Sequence, residues 1–182
     1  MGRLIFLSNI TLDGYFADRD GNFDFTTPSA EVHAFINDIV RPVGTHLYGR
    51  RNYELMTAWE TWGDDDPVTR DFAEVWRATD KIVYSRTLDR PTTSRTRLES
   101  EFDPDAVRSL VAASKSDVLI GGPNLAGQAF AAGLVDEIHL FVSPVILGGG
   151  ARCLPDGMRL DLELVDEHRF DNGTVHLHHR VV

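Results

Sequence analysis

Three places in the chain put anion-binding residue types directly after an apolar run: Gly49-Arg50-Arg51, Ser85-Arg86 and Gly121-Gly122-Pro123. Arginine offers a planar fork of donors that matches phosphate oxygens. Glycine lets an anion come close to the backbone. Where a glycine leads into a helix, free backbone N–H groups and the positive end of the helix dipole add to the attraction. The stretch 117–132 reads D-V-L-I-G-G-P-N-L-A-G-Q-A-F-A-A. Val118, Leu119 and Ile120 suit a buried strand, and Pro123 fits a first helical position. Leu125, Ala126, Ala129 and Phe130 then recur at helical spacing until Gly133. Gly-Gly-Pro alone reads equally as a sharp turn or a phosphate turn. Three such strand ends suit a ligand with several phosphates, such as a dinucleotide. No G-x-G-x-x-G follows the first strand, so the ordinary dinucleotide fingerprint is absent.

Other reactive side chains are scattered. Asp13, before Gly14, is either a turn former or a carboxylate that orients substrate or relays a proton. Tyr15, Phe16, Phe23 and Phe25 are unusual in a polar loop and either cap the core or wall a pocket. His176 and His178 share a strand face with a metal-capable spacing. They are read as exposed positions, like the neighbouring His168 and His179, and no metal is expected. Cys153 is read as a plain thiol rather than a reactive one. Asp64, Asp65 and Asp66 form a solvated turn, because consecutive carboxylates do not converge on one ion.

The elements that must position these groups alternate. Strands are expected near Arg3–Ile10, Thr45–Gly49, Lys81–Ser85, Val118–Ile120 and Val135–Val142. Helices are expected from Ser29 to Val40, where Val32, Phe35, Ile36, Ile39 and Val40 form one apolar face, and over 50–56, 68–79, 104–114 and 123–132. Asp13–Thr27 is a loop or short edge hairpin, and a short edge strand lies near Thr96–Leu98. Leu160–Phe170 and Thr174–Val182 form a closing hairpin around Asp171-Asn172-Gly173. The expectation is one α/β domain over residues 1–182, mainly parallel, with a C-terminal antiparallel hairpin.

Composition narrows the class. The chain has 182 residues, 42% hydrophobic, with a net charge of −10. That charge argues against a nucleic-acid surface spread over the whole molecule. No apolar run is long enough to span a bilayer, and no export signal is read. The single cysteine permits no intrachain disulfide and is consistent with a cytoplasmic protein.

Taken together, Thr11-Leu12-Asp13-Gly14-Tyr15, Gly49-Arg50-Arg51-Asn52-Tyr53-Glu54, Val83-Tyr84-Ser85-Arg86-Thr87, Ile120-Gly121-Gly122-Pro123-Asn124-Leu125 and Ser143–Gly150 resemble the dihydrofolate reductase-like superfamily. Within it, the chain resembles the reductase domain of bacterial riboflavin biosynthesis and its stand-alone relatives. The resemblance implies a central, mostly parallel sheet flanked by helices, an NADPH site and a homodimer. It implies that Gly121, Gly122, Pro123, Asn124 and Leu125 hold pyrophosphate, with Gly49, Arg50 and Arg51 facing phosphate. Ser85 and Arg86 would lie near the 2′-phosphate, which favours NADPH over NADH. Asn52 stands where the family usually has Thr. Asp13 matches a family Asp, and Glu31, with Asp24 as an alternative, is the carboxylate nearest the folate reductases' acid. A partly buried acid with a raised pKa would supply the proton. Tyr15 and Phe25 are candidate substrate contacts. The implied activity is hydride transfer to a small heterocyclic or carbonyl substrate, pterin-like or aminouracil-like. The competing expectation is a nucleotide-binding module or sensor without turnover.

Overall fold

Apolar runs become strands and three-to-four-residue apolar spacings become helices. The computed structural model describes residues 2–63 and 65–182, so Asp64 of the acidic turn lies outside the described residues. In chain order the elements are β1 (Leu4–Thr11), β2 (Tyr15–Ala17), α1 (Ala30–Val40), β3 (Thr45–Gly49), α2 (Arg50–Met56) and α3 (Pro67–Ala78). There follow β4 (Asp80–Tyr84), β5 (Thr96–Glu99), α4 (Pro104–Ala113), β6 (Val118–Gly121), α5 (Pro123–Ala131) and β7 (Glu137–Ser143). The chain closes with β8 (Ala151–Arg152), β9 (Leu162–Arg169) and β10 (Val175–Val181).

Eight strands form one sheet in the order β5-β4-β3-β6-β1-β7-β10-β9. The pairs from β5 through β7 are parallel, and β10 runs antiparallel to both β7 and β9. This is the α/β sheet with an antiparallel end that the patterning predicts. All carboxyl ends of the parallel strands therefore lie along one edge. Strand alternation divides the core. Leu4, Phe6, Val118 and Ile120 pack with Val107 of α4 and Leu125, Ala126 and Phe130 of α5. Ile5, Leu119 and Phe141 pack on the other face with Val32 and Ile36 of α1 and Phe72 and Trp76 of α3.

The helices start where their caps allow. Ser29 Oγ accepts from the Val32 N–H, and Asp103 Oδ1 accepts from the Asp105 N–H. Proline stands in the first turn of α3, α4 and α5, where no partner N–H is lost. The Asp171–Gly173 turn closes β9 onto β10, with Gly173 at φ 84°.

Two expectations change. The 13–27 segment, read as a loop or a short edge hairpin, closes a turn over Asp18–Asn22, but its strand β2 pairs with the distant β8. His176 is not an exposed position. It is buried against Phe35 (5.0 Å) and Phe141 (4.7 Å), because β9 continues the sheet beyond β10 and α1 covers this face. Ile138 and Phe141 of β7 are buried in the core.

One polar chain runs through the interior. The buried Trp76 Nε1–H donates to Tyr48 Oη at 3.0 Å, and His46 Nδ1 lies 2.7 Å from the same oxygen. Lys81 Nζ donates to the Trp76 and Thr79 carbonyls and sits 4.2 Å from the Trp76 ring centroid. Burial lowers the Lys81 pKa to about 8. Tyr48→Phe strips the partner from two buried groups. Urea unfolding is expected to show a loss of about 1–3 kcal/mol, whereas a change under about 0.5 kcal/mol would contradict this role.

Candidate active site at the carboxyl edge of the sheet

Two helices begin side by side at this edge. β3 pairs with β6 so that Tyr48 stands opposite Gly121. The chain then enters α2 through Gly49 and α5 through Gly122. Gly122 is the N-cap of α5 at φ 88°, a conformation other residues rarely adopt. Neither helix start is capped by a side chain. The Asn124 and Leu125 N–H groups, in the first turn of α5, have no carbonyl a turn earlier to bond.

The contact between the two helix starts explains Gly121. A Cβ there would collide with Nδ2 of Asn52, and one at Gly122 would stand 3.3 Å from the Asn52 Cβ. Asn52 is thus a wedge between α2 and the β6–α5 turn, whatever ligand binds. Sequence reading gave it no such role.

The basic residues differ in freedom. Arg50 is tied down: Nε donates to Glu54 (2.7 Å) and Nη1 to Thr87 Oγ1 (2.6 Å). That bond brings the start of α2 to the turn after β4. There Ser85 Oγ accepts from the Thr87 and Leu88 N–H groups (3.2 and 3.1 Å), leaving its own hydroxyl proton free to donate. Arg51 and Arg86 are exposed, and neither takes part in a side-chain hydrogen bond or ion pair among the described residues.

Asp13 is elsewhere on the same edge, beyond β1. Thr11 Oγ1 donates to it at 2.7 Å, and the Leu147 and Gly148 N–H groups donate at 3.2 and 2.8 Å. These bonds, the Thr11 hydroxyl first, lower its pKa. The expectation of a raised pKa is therefore corrected at Asp13: its carboxylate is held ionised and clamps the 145–150 loop onto β1. Glu31 is exposed in the first turn of α1, with the Asp171 N–H at 3.4 Å. No hydrogen bond among the described residues joins it to Asp13.

Tyr15 is half-buried beneath Arg152, whose guanidinium carbon is 5.4 Å from its ring centroid. Phe25 is half-buried in a 3-10 turn over Asp24–Thr26. A cavity of about 270 Å³ opens beside α5, between Pro123, Asn124 and Gly127 on one wall and Arg152–Asp156 on the other. The second wall, Arg152 above all, was missed from sequence, because only the β2–β8 pairing carries it here. The Cys153 N–H donates to the Gly14 carbonyl at 3.0 Å, tying that wall to the Asp13 turn. Cys153 is buried, and desolvation raises its thiol pKa to about 11, so it is an inert thiol as the sequence suggests.

The clamp has a pH signature. A carboxylate whose folded pKa is depressed contributes above its unfolded pKa, and the contribution disappears as pH falls through the folded pKa. Asp13→Asn is expected to speed amide hydrogen exchange at Leu147 and Gly148 at neutral pH. The wild type should show the same loosening only in acid. Unchanged protection in the variant would contradict the clamp.

The sequence and the fold match known proteins. The sequence pattern of the RibD C-terminal domain family spans residues 3–176. The chain is 25% identical over 176 residues to the uncharacterized protein YyaP of Bacillus subtilis (strain 168), covering 96% of this chain and 93% of that one. It is similar in fold to a putative riboflavin biosynthesis protein from Shewanella sp. PV-4, with a TM-score of 0.78, 18% identity and 99% of each chain covered. It is also similar to a pyrimidine reductase-like protein of Corynebacterium diphtheriae, with a TM-score of 0.72, 14% identity and 100% and 92% coverage. A deaminase/5-amino-6-(5-phosphoribosylamino)uracil reductase from Thermotoga maritima gives a TM-score of 0.69 at 16% identity, and the match spans 57% of that longer chain. With its dihydrofolate reductase-like sheet and a pattern match over nearly all its length, the chain belongs to the RibD C-terminal domain family.

Proposed function

We propose that the protein is an NADPH-dependent reductase of a small heterocyclic or carbonyl substrate, pterin-like or aminouracil-like. The observation that carries this reading is the pairing of two uncapped helix starts, at Gly49 and Gly122, on adjacent strand ends. The residues fit a diphosphate-bearing cofactor. Free N–H groups at the α5 start suit a pyrophosphate. Arg51 and Arg86 are unspent cations, and Ser85 keeps a donor beside Arg86. NADPH, when bound, supplies the hydride, and the protein supplies position and charge.

In this reading Asp13 is a positioning residue that acts through the 145–150 loop. Glu31, exposed with a backbone N–H at 3.4 Å, is the carboxylate we assign to relay a proton, with the exposed Asp24 as the alternative. Tyr15 and Phe25 contribute aromatic surface on the substrate side. The family's reductase members support oxidoreductase chemistry in general. Among the described residues no helix is long and apolar enough to cross a membrane, and we take the protein to work in the cytoplasm. A homodimer is supported by β9, an edge strand that exposes Leu162, Leu164 and Val165. The reading treats residues 1–182 as one domain. A second reading, nucleotide binding without turnover, is favoured by one observation: the Asp13 carboxylate is already spent on the loop.

NADPH titration, followed by quenching of the three tryptophans, tests the binding step. Arg86→Ala is expected to weaken NADPH by about tenfold, near 1.4 kcal/mol, and to leave NADH binding unchanged. No binding up to millimolar NADPH, or an equal loss for both cofactors, would contradict the reading. NADPH binding with no consumption across pterin and pyrimidine panels would favour the second.

A further inference from the structure

The amino end of β7 carries a second cluster of reactive side chains, at the end of the strand opposite the cleft. Glu137 and His139 alternate onto one face of β7, and His178 of β10 stands directly opposite His139. One donor atom from each of the three lies within 4.8 Å of the others. From sequence, the histidine pair His176–His178 lacked any completing ligand. Only the β7–β10 register brings Glu137 and His139 to it.

We propose that Glu137, His139 and His178 bind a divalent transition-metal ion, with Zn2+ as the ion whose chemistry fits best. Two imidazoles and one carboxylate form a donor set zinc accepts, with a fourth position left to water. The surroundings support each ligand. His139 Nδ1 lies 3.0 Å from His176 Nε2, a contact that orients the His139 ring from outside the ligand set. Glu137 gives only one oxygen to Arg3, Oε1 at 2.6 Å. Its other oxygen, Oε2, faces His178 Nε2 at 3.1 Å. Arg3 is itself balanced by Asp117 at 2.6 Å, so the cluster keeps the Glu137 charge for a cation.

The His139 and His178 rings stack with centroids 4.0 Å apart at 16°. Tetrahedral zinc with bonds of about 2.0 Å needs donors about 3.3 Å apart. Chelation therefore turns one ring. His178, the least buried of the three, has the room and gives the ion its entry path. The ion would pin β10 to β7, and so brace the C-terminal hairpin, without touching the cleft.

The test uses the full chain without an affinity tag. Calorimetry with Zn2+ is expected to show one ion per chain, and Co2+ to give a visible ligand-field spectrum that Zn2+ abolishes. Zn2+ should also raise Tm. His178→Gln is expected to abolish this binding, His176→Gln to weaken it about 10–100-fold, and His168→Gln, an exposed histidine on β9, to leave it unchanged. Histidine 15N NMR of the wild type guards against a variant that fails to fold: two ring nitrogens should shift with the first equivalent. No uptake, uptake that survives His178→Gln, or unshifted ring nitrogens would overturn the proposal.

Discussion

The cleft depends on how closely α2 approaches β6, and a missing side chain sets that distance. Nδ2 of Asn52 occupies the space a Cβ of Gly121 would take. β6 can then lie between β3 and β1 with all four of its residues buried. The two strand ends stay adjacent, and the helices that follow them begin side by side. A larger residue at position 121 would have to displace the Asn52 amide and press on the Tyr48 ring. Packing thus favours glycine here before any ligand enters the argument. The anion-binding character of the turn is a consequence of the same geometry, since uncapped N–H groups remain at the start of α5.

The second constraint is electrostatic. Asp13 could serve as an acid only if its neutral form were favoured. The Thr11 hydroxyl and two loop N–H groups do the opposite. The carboxylate instead spends its charge on joining β1 to the segment after β7. Thr11 accepts the Tyr15 N–H at 3.0 Å while donating to Asp13, so one hydroxyl organises both sides of the turn. A hydroxyl that both donates and accepts meets that need, and Thr11 supplies it.

Much of the fold was legible because its signals are local. The V-L-I-G-G-P run named a strand, a turn and a helix start, and β6, Gly122 and α5 stand there. Ser29 and Pro104 marked helix starts, and Asp171-Asn172-Gly173 marked a hairpin. The misses are long-range. Nothing near Tyr15 or Ala151 announces that β2 and β8 pair, since a two-residue strand has no periodicity. Asn52 and Gly121 are far apart in sequence, and their contact follows from the β3–β6 register. The histidines of β10 looked exposed because polar residues alternate along it. The burial of His176 comes from β9 and α1, elements that no local pattern connects to it. At the candidate site, residue types were readable, but which arginine is free was not. Arg50 and Arg51 are neighbours of one type, and only the partners Glu54 and Thr87 distinguish them.

The central claim is that the paired helix starts receive a diphosphate. Backbone amide NMR during an NADPH titration tests it most directly. The account predicts that the first and largest shifts fall on the amides of Gly49–Asn52 and Gly121–Leu125, with Leu147 and Gly148 responding less. Saturable binding whose shifts fall elsewhere on the sheet, leaving those two turns unmoved, would contradict it.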